Sequence, residues 1–153
     1  MTDADDLARR LCDTGRSLHA RGYVHASAGN LSAPHPQGGW FITPTDASLG
    51  TLDPARLSRV GADGAHLAGD RPSKTLALHR RIYEADPEAG CVLHTHATHL
   101  VALTLHAPGE AAPEPFADLL PPITPYFVMK VGHVPLIPYH RPGDPAAAAL
   151  VAQ

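Results

Sequence analysis

The chain has 153 residues, 44% of them hydrophobic and 18% charged, with a formal net charge of −3. That length can bury one core, that composition excludes a disordered segment, and the slight negative charge leaves no broad basic surface for nucleic acid. No apolar run is long enough to span a bilayer, the acidic opening Met1–Asp6 is unlike a secretory signal, and two isolated cysteines, Cys12 and Cys91, fit a reducing cytoplasm.

Leu7, Leu11 and Leu18 give a helical period that ends at Gly22. Gly29-Asn30-Leu31-Ser32 combines turn chemistry with a short extended piece. Trp40-Phe41-Ile42 reads as a strand ended by Thr43-Pro44-Thr45-Asp46. Asp53 and Pro54 are the N-cap and first turn of a helix start, and Val60 to Leu67 forms a hairpin around Asp63-Gly64. Pro72-Ser73 opens a helix to about Ala85, with Leu78/Ile82 and Leu76/Tyr83 inward. Cys91–Leu93 is expected as a buried strand, His99–Leu105 as a helix, and Pro121–Lys130 as a Pro-started helix. Val134–Ile137 is expected as a strand, and Asp144 begins a last helix. The 16 prolines cluster after residue 107, where interleaved apolar residues point to an ordered, irregular segment. Alternating strands and helices predict an α/β layered domain.

His94-Thr95-His96 follows the apolar run Cys91-Val92-Leu93. Side chains two apart on a strand share a face, and two neighbouring neutral imidazoles are half of a divalent-metal site of zinc type. A structural zinc site would use thiolates, so the pair points to a catalytic ion with an open position. A metallopeptidase of the JAMM type also begins with His-x-His. It needs a Ser-x-x-Asp shortly downstream, and residues 97–110 contain neither serine nor aspartate.

Four segments, in this order and spacing, resemble the class II aldolase/adducin family: Ser27–Ser32, Ile42–Thr45, Pro72-Ser73-Lys74 with His79, and Val92–His96. Within that family, Leu49–Pro54, Gly69–Lys74, Thr124–Gly132 and Pro135–Asp144 resemble the 3-oxo-tetronate 4-phosphate decarboxylases. The resemblance implies a central mixed, largely antiparallel sheet flanked by helices, and a homotetramer with active sites between subunits. It also implies a zinc-type divalent metal and a phosphorylated sugar-acid substrate. The implied reaction is decarboxylation of a 3-oxo-tetronate 4-phosphate to dihydroxyacetone phosphate and carbon dioxide through a metal-bound enediolate. A sugar-phosphate aldolase would pass through the same kind of intermediate.

Carried onto this chain, the resemblance assigns the metal to His94 and His96, and the phosphate to Gly29, Asn30, Thr45, Ser73 and Lys74. A helix N-terminus at Ser73 would favour the anion, and Gly29 would let backbone approach it. Tyr126 lies where the family supplies a tyrosine to a neighbouring subunit's site as proton donor or oxyanion partner. His79, on the helix face of Thr75, reads as a packed or hydrogen-bonded residue. His99, His106, His133 and His140 read as surface or loop histidines.

Three departures bear on activity. Thr75 stands at the family's acid/base glutamate and cannot serve as a carboxylate base near neutral pH. Asp46 stands where glycine is usual, beside the expected phosphate. The family continues into a strand carrying Asn-His-Gly, whose histidine is a third metal ligand, so residues 1–153 are expected to be a domain lacking its C-terminal strand and helix. An inactive or non-catalytic binding module is therefore the alternative to a lyase.

Overall fold

The computed structural model describes residues 2–106, 118–151 and 153. Asp3–Ala20 forms α1, started by a reciprocal capping box between Thr2 and Asp5. Asp3, Asp5 and Asp6 place negative charge where the helix dipole favours it. Its buried face is Ala8, Leu11, Cys12 and Gly15. A Cβ on Gly15 would lie 2.8 Å from the Leu52 side chain, so α1 seats against the 3-10 turn Leu49–Thr51 only because that position is bare.

Five strands follow: β1 Asn30–Pro34, β2 Trp40–Ile42, β3 Ser58–Val60, β4 His66–Ala68 and β5 Val92–His94. They lie in the order β4-β3-β2-β1-β5, and all four ladders are antiparallel. Strand β1 is covered on both faces. Leu31 and Ala33 join the core with Leu11, Cys12, Val24, Leu49 and Leu52, whereas Asn30 and Ser32 turn to the opposite face and meet the second helix. Each fully buried leucine of this core contributes about 1.5–3 kcal/mol. The remaining helices are α2 Leu76–Ala85, α3 Thr98–His106, α4 Pro125–Lys130 and α5 Pro145–Val151, with α5 packed on α2.

Several elements differ from the sequence-based expectation. Helix α2 begins at Leu76 rather than at Pro72-Ser73, with Thr75 as its N-cap. Its fully turned-in residues are His79 and Tyr83, while Leu76, Leu78 and Ile82 are half-buried. Strand β5 alternates its side chains, so Val92 is buried and His94 on the same face is half-buried, whereas Cys91 and Leu93 are exposed. Residues 121–124 precede α4 instead of belonging to it. Residues 134–137 form no strand beyond a single bridge from Pro135 to Asp118, because Pro135 and Pro138 lack the N–H groups a ladder requires. Residues 107–117, the first part of the proline-rich stretch, lie outside the described residues, as does the side chain of His106. No described helix is long and apolar enough to cross a membrane.

Candidate active site

The site forms where β1 and β5 meet two turns. Asn30 opens β1 and is the Cα partner of His94, the last residue of β5. Gly29 precedes it at φ +82°, and a Cβ there would lie 2.8 Å from both the His94 carbonyl and the Val24 side chain. Only glycine lets the 27–30 loop come this close to β5. Pro44 bridges to Pro72, and the Thr45 N–H donates to the Arg71 carbonyl at 2.9 Å, which ties the second turn to the entry of α2.

A cleft of about 510 Å³ results, with Gly29, Asn30, Thr45, Ser73 and Lys74 on its wall beside Thr75, His94 and His96. The structure thus collects the residues expected for phosphate and those expected for metal around one space. Tyr126 is not among them: it sits on α4 and is 72% exposed. Ser73 is not at the first turn of α2 either. It lies two residues before the N-cap, where its Oγ is 3.0 Å from the Thr75 hydroxyl and its carbonyl accepts from Leu76 N–H. Asp46 adopts φ +59°, a left-handed conformation in which glycine is at ease and aspartate is tolerated. Its carboxylate stands 4.0 Å from the Lys74 ammonium, both well exposed, so the pairing is weak.

Beneath the cleft runs a buried polar network. Asn30 Oδ1 lies 2.5 Å from His79 Nε2 and 2.8 Å from the Thr75 hydroxyl. His79 Nδ1 lies 2.7 Å from Ser32 Oγ, which lies 2.9 Å from the Tyr83 hydroxyl. Burial, helped by nearby His94, pushes His79 down to about 4, so the ring is neutral at physiological pH. Burial also raises the Tyr83 phenol. Tyr83 is further fixed by stacking on Trp40, with ring centroids 5.7 Å apart. Thr75, His79 and Tyr83 recur every four residues on one helix face, and that polar stripe was the sequence signal for the network.

The cleft is also lined by residues 137–144, including His140 and Arg141, and by Ala147 and Ala148. His140 is a loop histidine, as expected, but part-buried, with Nδ1 3.3 Å from the Asp144 carboxylate. His99 and His133 are exposed, and His133 binds Asp118 at 2.7 Å.

The imidazoles of His94 and His96 suit a divalent ion. Strand β5 ends at His94, so His96 lies beyond the regular alternation, yet the ring centroids are 5.1 Å apart and tilted by 32°. Two imidazoles on one tetrahedral ion, with metal–nitrogen bonds of about 2.0–2.1 Å, hold their centroids about 5 Å apart. His94 Nδ1 is buried without a hydrogen-bond partner among the described residues. Burial first, then His96, lowers His94 from its ordinary value and favours the neutral ring, which leaves one nitrogen lone pair free for an ion. The pair fits as two ligands. No group of three or more His, Cys, Asp or Glu able to hold an ion occurs among the described residues.

Residues 9–153 match the family model described as the class II aldolase and adducin N-terminal domain. The chain belongs to that family. It is 58% identical over 152 residues to a 3-oxo-tetronate 4-phosphate decarboxylase of Cupriavidus necator, covering 99% of this chain and 67% of that one. It is 44% identical over 147 residues to a protein of the same name from Escherichia coli K12, covering 96% and 67%. This class II aldolase/adducin chain therefore spans about two thirds of the length of those relatives. Its fold is similar to the crystal structure of YgbL from Escherichia coli, with TM-score 0.88 at 40% identity over 99% of this chain and 70% of that one. It is also similar to an L-fuculose-1-phosphate aldolase from Thermus thermophilus, with TM-score 0.77 at 28% identity over 95% and 68%.

Proposed function

We propose that this chain is a carboxy-lyase acting on 3-oxo-tetronate 4-phosphate, giving dihydroxyacetone phosphate and carbon dioxide. The observation that carries this reading is the shared cleft, in which Gly29, Asn30, Thr45, Ser73 and Lys74 stand with His94 and His96. The names of the relatives supply the substrate.

In this β-keto acid the bond between C1 and C2 breaks and C1 leaves as carbon dioxide. The electron pair moves into the C2–C3 bond, charge builds on the C3 oxygen, and C2 then takes up one proton. The chain's part begins with holding the phosphate. The hydroxyls of Thr45 and Ser73 donate to its oxygens, the backbone at Gly29 approaches it, and Lys74 adds a point charge. The Asn30 amide, whose residue is the Cα partner of His94, donates its N–H groups to the same phosphate. His94 and His96 would hold a divalent cation, zinc by donor type, which when bound supplies Lewis-acid stabilisation of oxygen charge. The proton at C2 comes from water or from the Tyr126 hydroxyl of a neighbouring copy in a homo-oligomer, since Tyr126 is far out on α4.

The test is incubation of the purified chain with 3-oxo-tetronate 4-phosphate and zinc, reading dihydroxyacetone phosphate by a coupled reductase. No product with or without zinc sinks the reading. Thr75 favours a second reading, ligand binding without turnover, because its hydroxyl is engaged on Asn30 and provides no carboxylate base. That reading expects the phosphate ligand to bind and no product to form.

A further inference from the structure

We propose that His79 is a positioning residue that fixes the orientation of the Asn30 amide, so that its NH2 group and not its carbonyl faces the cleft. The inference refines the cradle of the proposed function and rests on that reading only for the identity of the ligand.

Counting protons along the buried chain decides the orientation. An asparagine amide offers an acceptor on one side and donors on the other, and the two are alike in shape, so the network decides which way it points. Two assignments run the chain in one direction from end to end; a third, in which Ser32 Oγ accepts from both His79 Nδ1–H and Tyr83 O–H, leaves the Ser32 proton without a partner among the described residues. In the first, Tyr83 O–H donates to Ser32 Oγ, Ser32 O–H donates to His79 Nδ1, and His79 Nε2–H donates to Asn30 Oδ1. In the second every arrow is reversed: Asn30 Nδ2–H donates to His79, Nδ1–H to Ser32, and Ser32 to Tyr83. The second leaves the Tyr83 proton without an acceptor among the described residues, since the phenol's partners are the Ser32 hydroxyl, which then donates to it, and the Val92 backbone N–H, and Tyr83 is only 8% exposed. A buried donor left unpaired costs about 1–3 kcal/mol. The first assignment leaves no proton stranded.

Thr75 is compatible with the same direction. Its hydroxyl donates to Asn30 Oδ1 at 2.8 Å while its Oγ1 stands 3.0 Å from Ser73 Oγ, whose proton is free to turn to the ligand, so both lone pairs of Oδ1 are filled from beneath. Both amide protons then remain for the cleft, where an anionic oxygen is the group that accepts them. Asn30 is only 8% exposed, and its Cα partner is His94, so the donor is held at a fixed place in the cleft wall.

Two measurements on the full chain test this. Nitrogen-15 NMR of His79 at neutral pH should show the Nε2–H tautomer; the Nδ1–H tautomer overturns the proposal. Binding of inorganic phosphate is then compared by calorimetry in wild type, His79→Phe, His79→Gln and Tyr83→Phe. His79→Phe should weaken binding about 5- to 30-fold, and His79→Gln, which keeps a donor, should recover most of it. An unchanged affinity in folded His79→Phe assigns His79 to packing alone and overturns the proposal. If that variant does not fold, the tautomer and the Tyr83→Phe affinity, expected about 3-fold or more weaker, decide. Wild type that binds no phosphate refutes the cradle of the proposed function, whereas the tautomer still judges the amide's orientation.

Discussion

His79 Nε2 and Asn30 Oδ1 share the shortest hydrogen bond of the buried network, 2.5 Å, although 49 positions separate the two residues. One sits inside α2 and the other opens β1, so this bond fastens the helix to the strand directly under the cleft.

Because His79 is neutral in the fold, its titration sets a pH dependence of stability. Its folded value, about 4, lies below the ordinary 6.5, so between these values the unfolded chain binds a proton that the folded chain refuses. Stability should rise with pH through that window, be fully present above about 6.5, and fall as pH drops toward 4, by on the order of 3 kcal/mol from this residue. Urea denaturation at pH 7 and pH 5 should show the difference in wild type, and His79→Gln should show a smaller one. Equal slopes in the two proteins would remove His79 as the cause.

Gly29→Ala should destabilise the chain by about 2 kcal/mol or more. The new Cβ would meet the His94 carbonyl and Val24 at 2.8 Å, and φ +82° is costly for alanine. A thermal melt within a degree of wild type would contradict the close seating of this loop on β5.

Replacing His94 or His96 by alanine should lower zinc affinity roughly 100-fold or more, since each supplies one of the two nitrogens. Metal content after dialysis, and the visible spectrum of the cobalt-substituted chain, report this without reference to turnover. In the native chain a chelator should abolish product formation, and zinc should restore it. Retention of stoichiometric zinc by the double variant would place the ion elsewhere.

Asp46→Gly should tighten phosphate binding about 2- to 5-fold at low salt, with the gain shrinking as salt is added. The change removes a carboxylate 4.0 Å from Lys74 and places glycine at φ +59°, so stability should hold or rise. Weaker binding would mean that the carboxylate itself contacts the ligand.

Much of this is legible in the sequence. The period of Leu7, Leu11 and Leu18 specifies α1, and Asp63-Gly64 marks a hairpin, because such signals act within a few residues. The start of α2 was misplaced for a local reason: Pro72 and Ser73 are good opening residues, but Pro72 is engaged by Pro44 and Thr45 binds Arg71, so the helix begins only at Leu76. Residues 134–137 make only a single bridge because Pro135 within them and Pro138 just after lack the N–H a ladder requires.

The amino-acid order by itself determined the family, through the order of its motifs, and the imidazole pair at 94 and 96, through side-chain identity and short spacing; the other cleft residues were implied by the family resemblance. Only the tertiary structure decided that Leu93 faces outward, that Tyr126 lies away from its own chain's cleft, and that Ser32, His79 and Tyr83 form one proton chain beneath Asn30. Direction and burial along such a chain depend on partners about fifty residues apart, and no local pattern encodes a contact of that range.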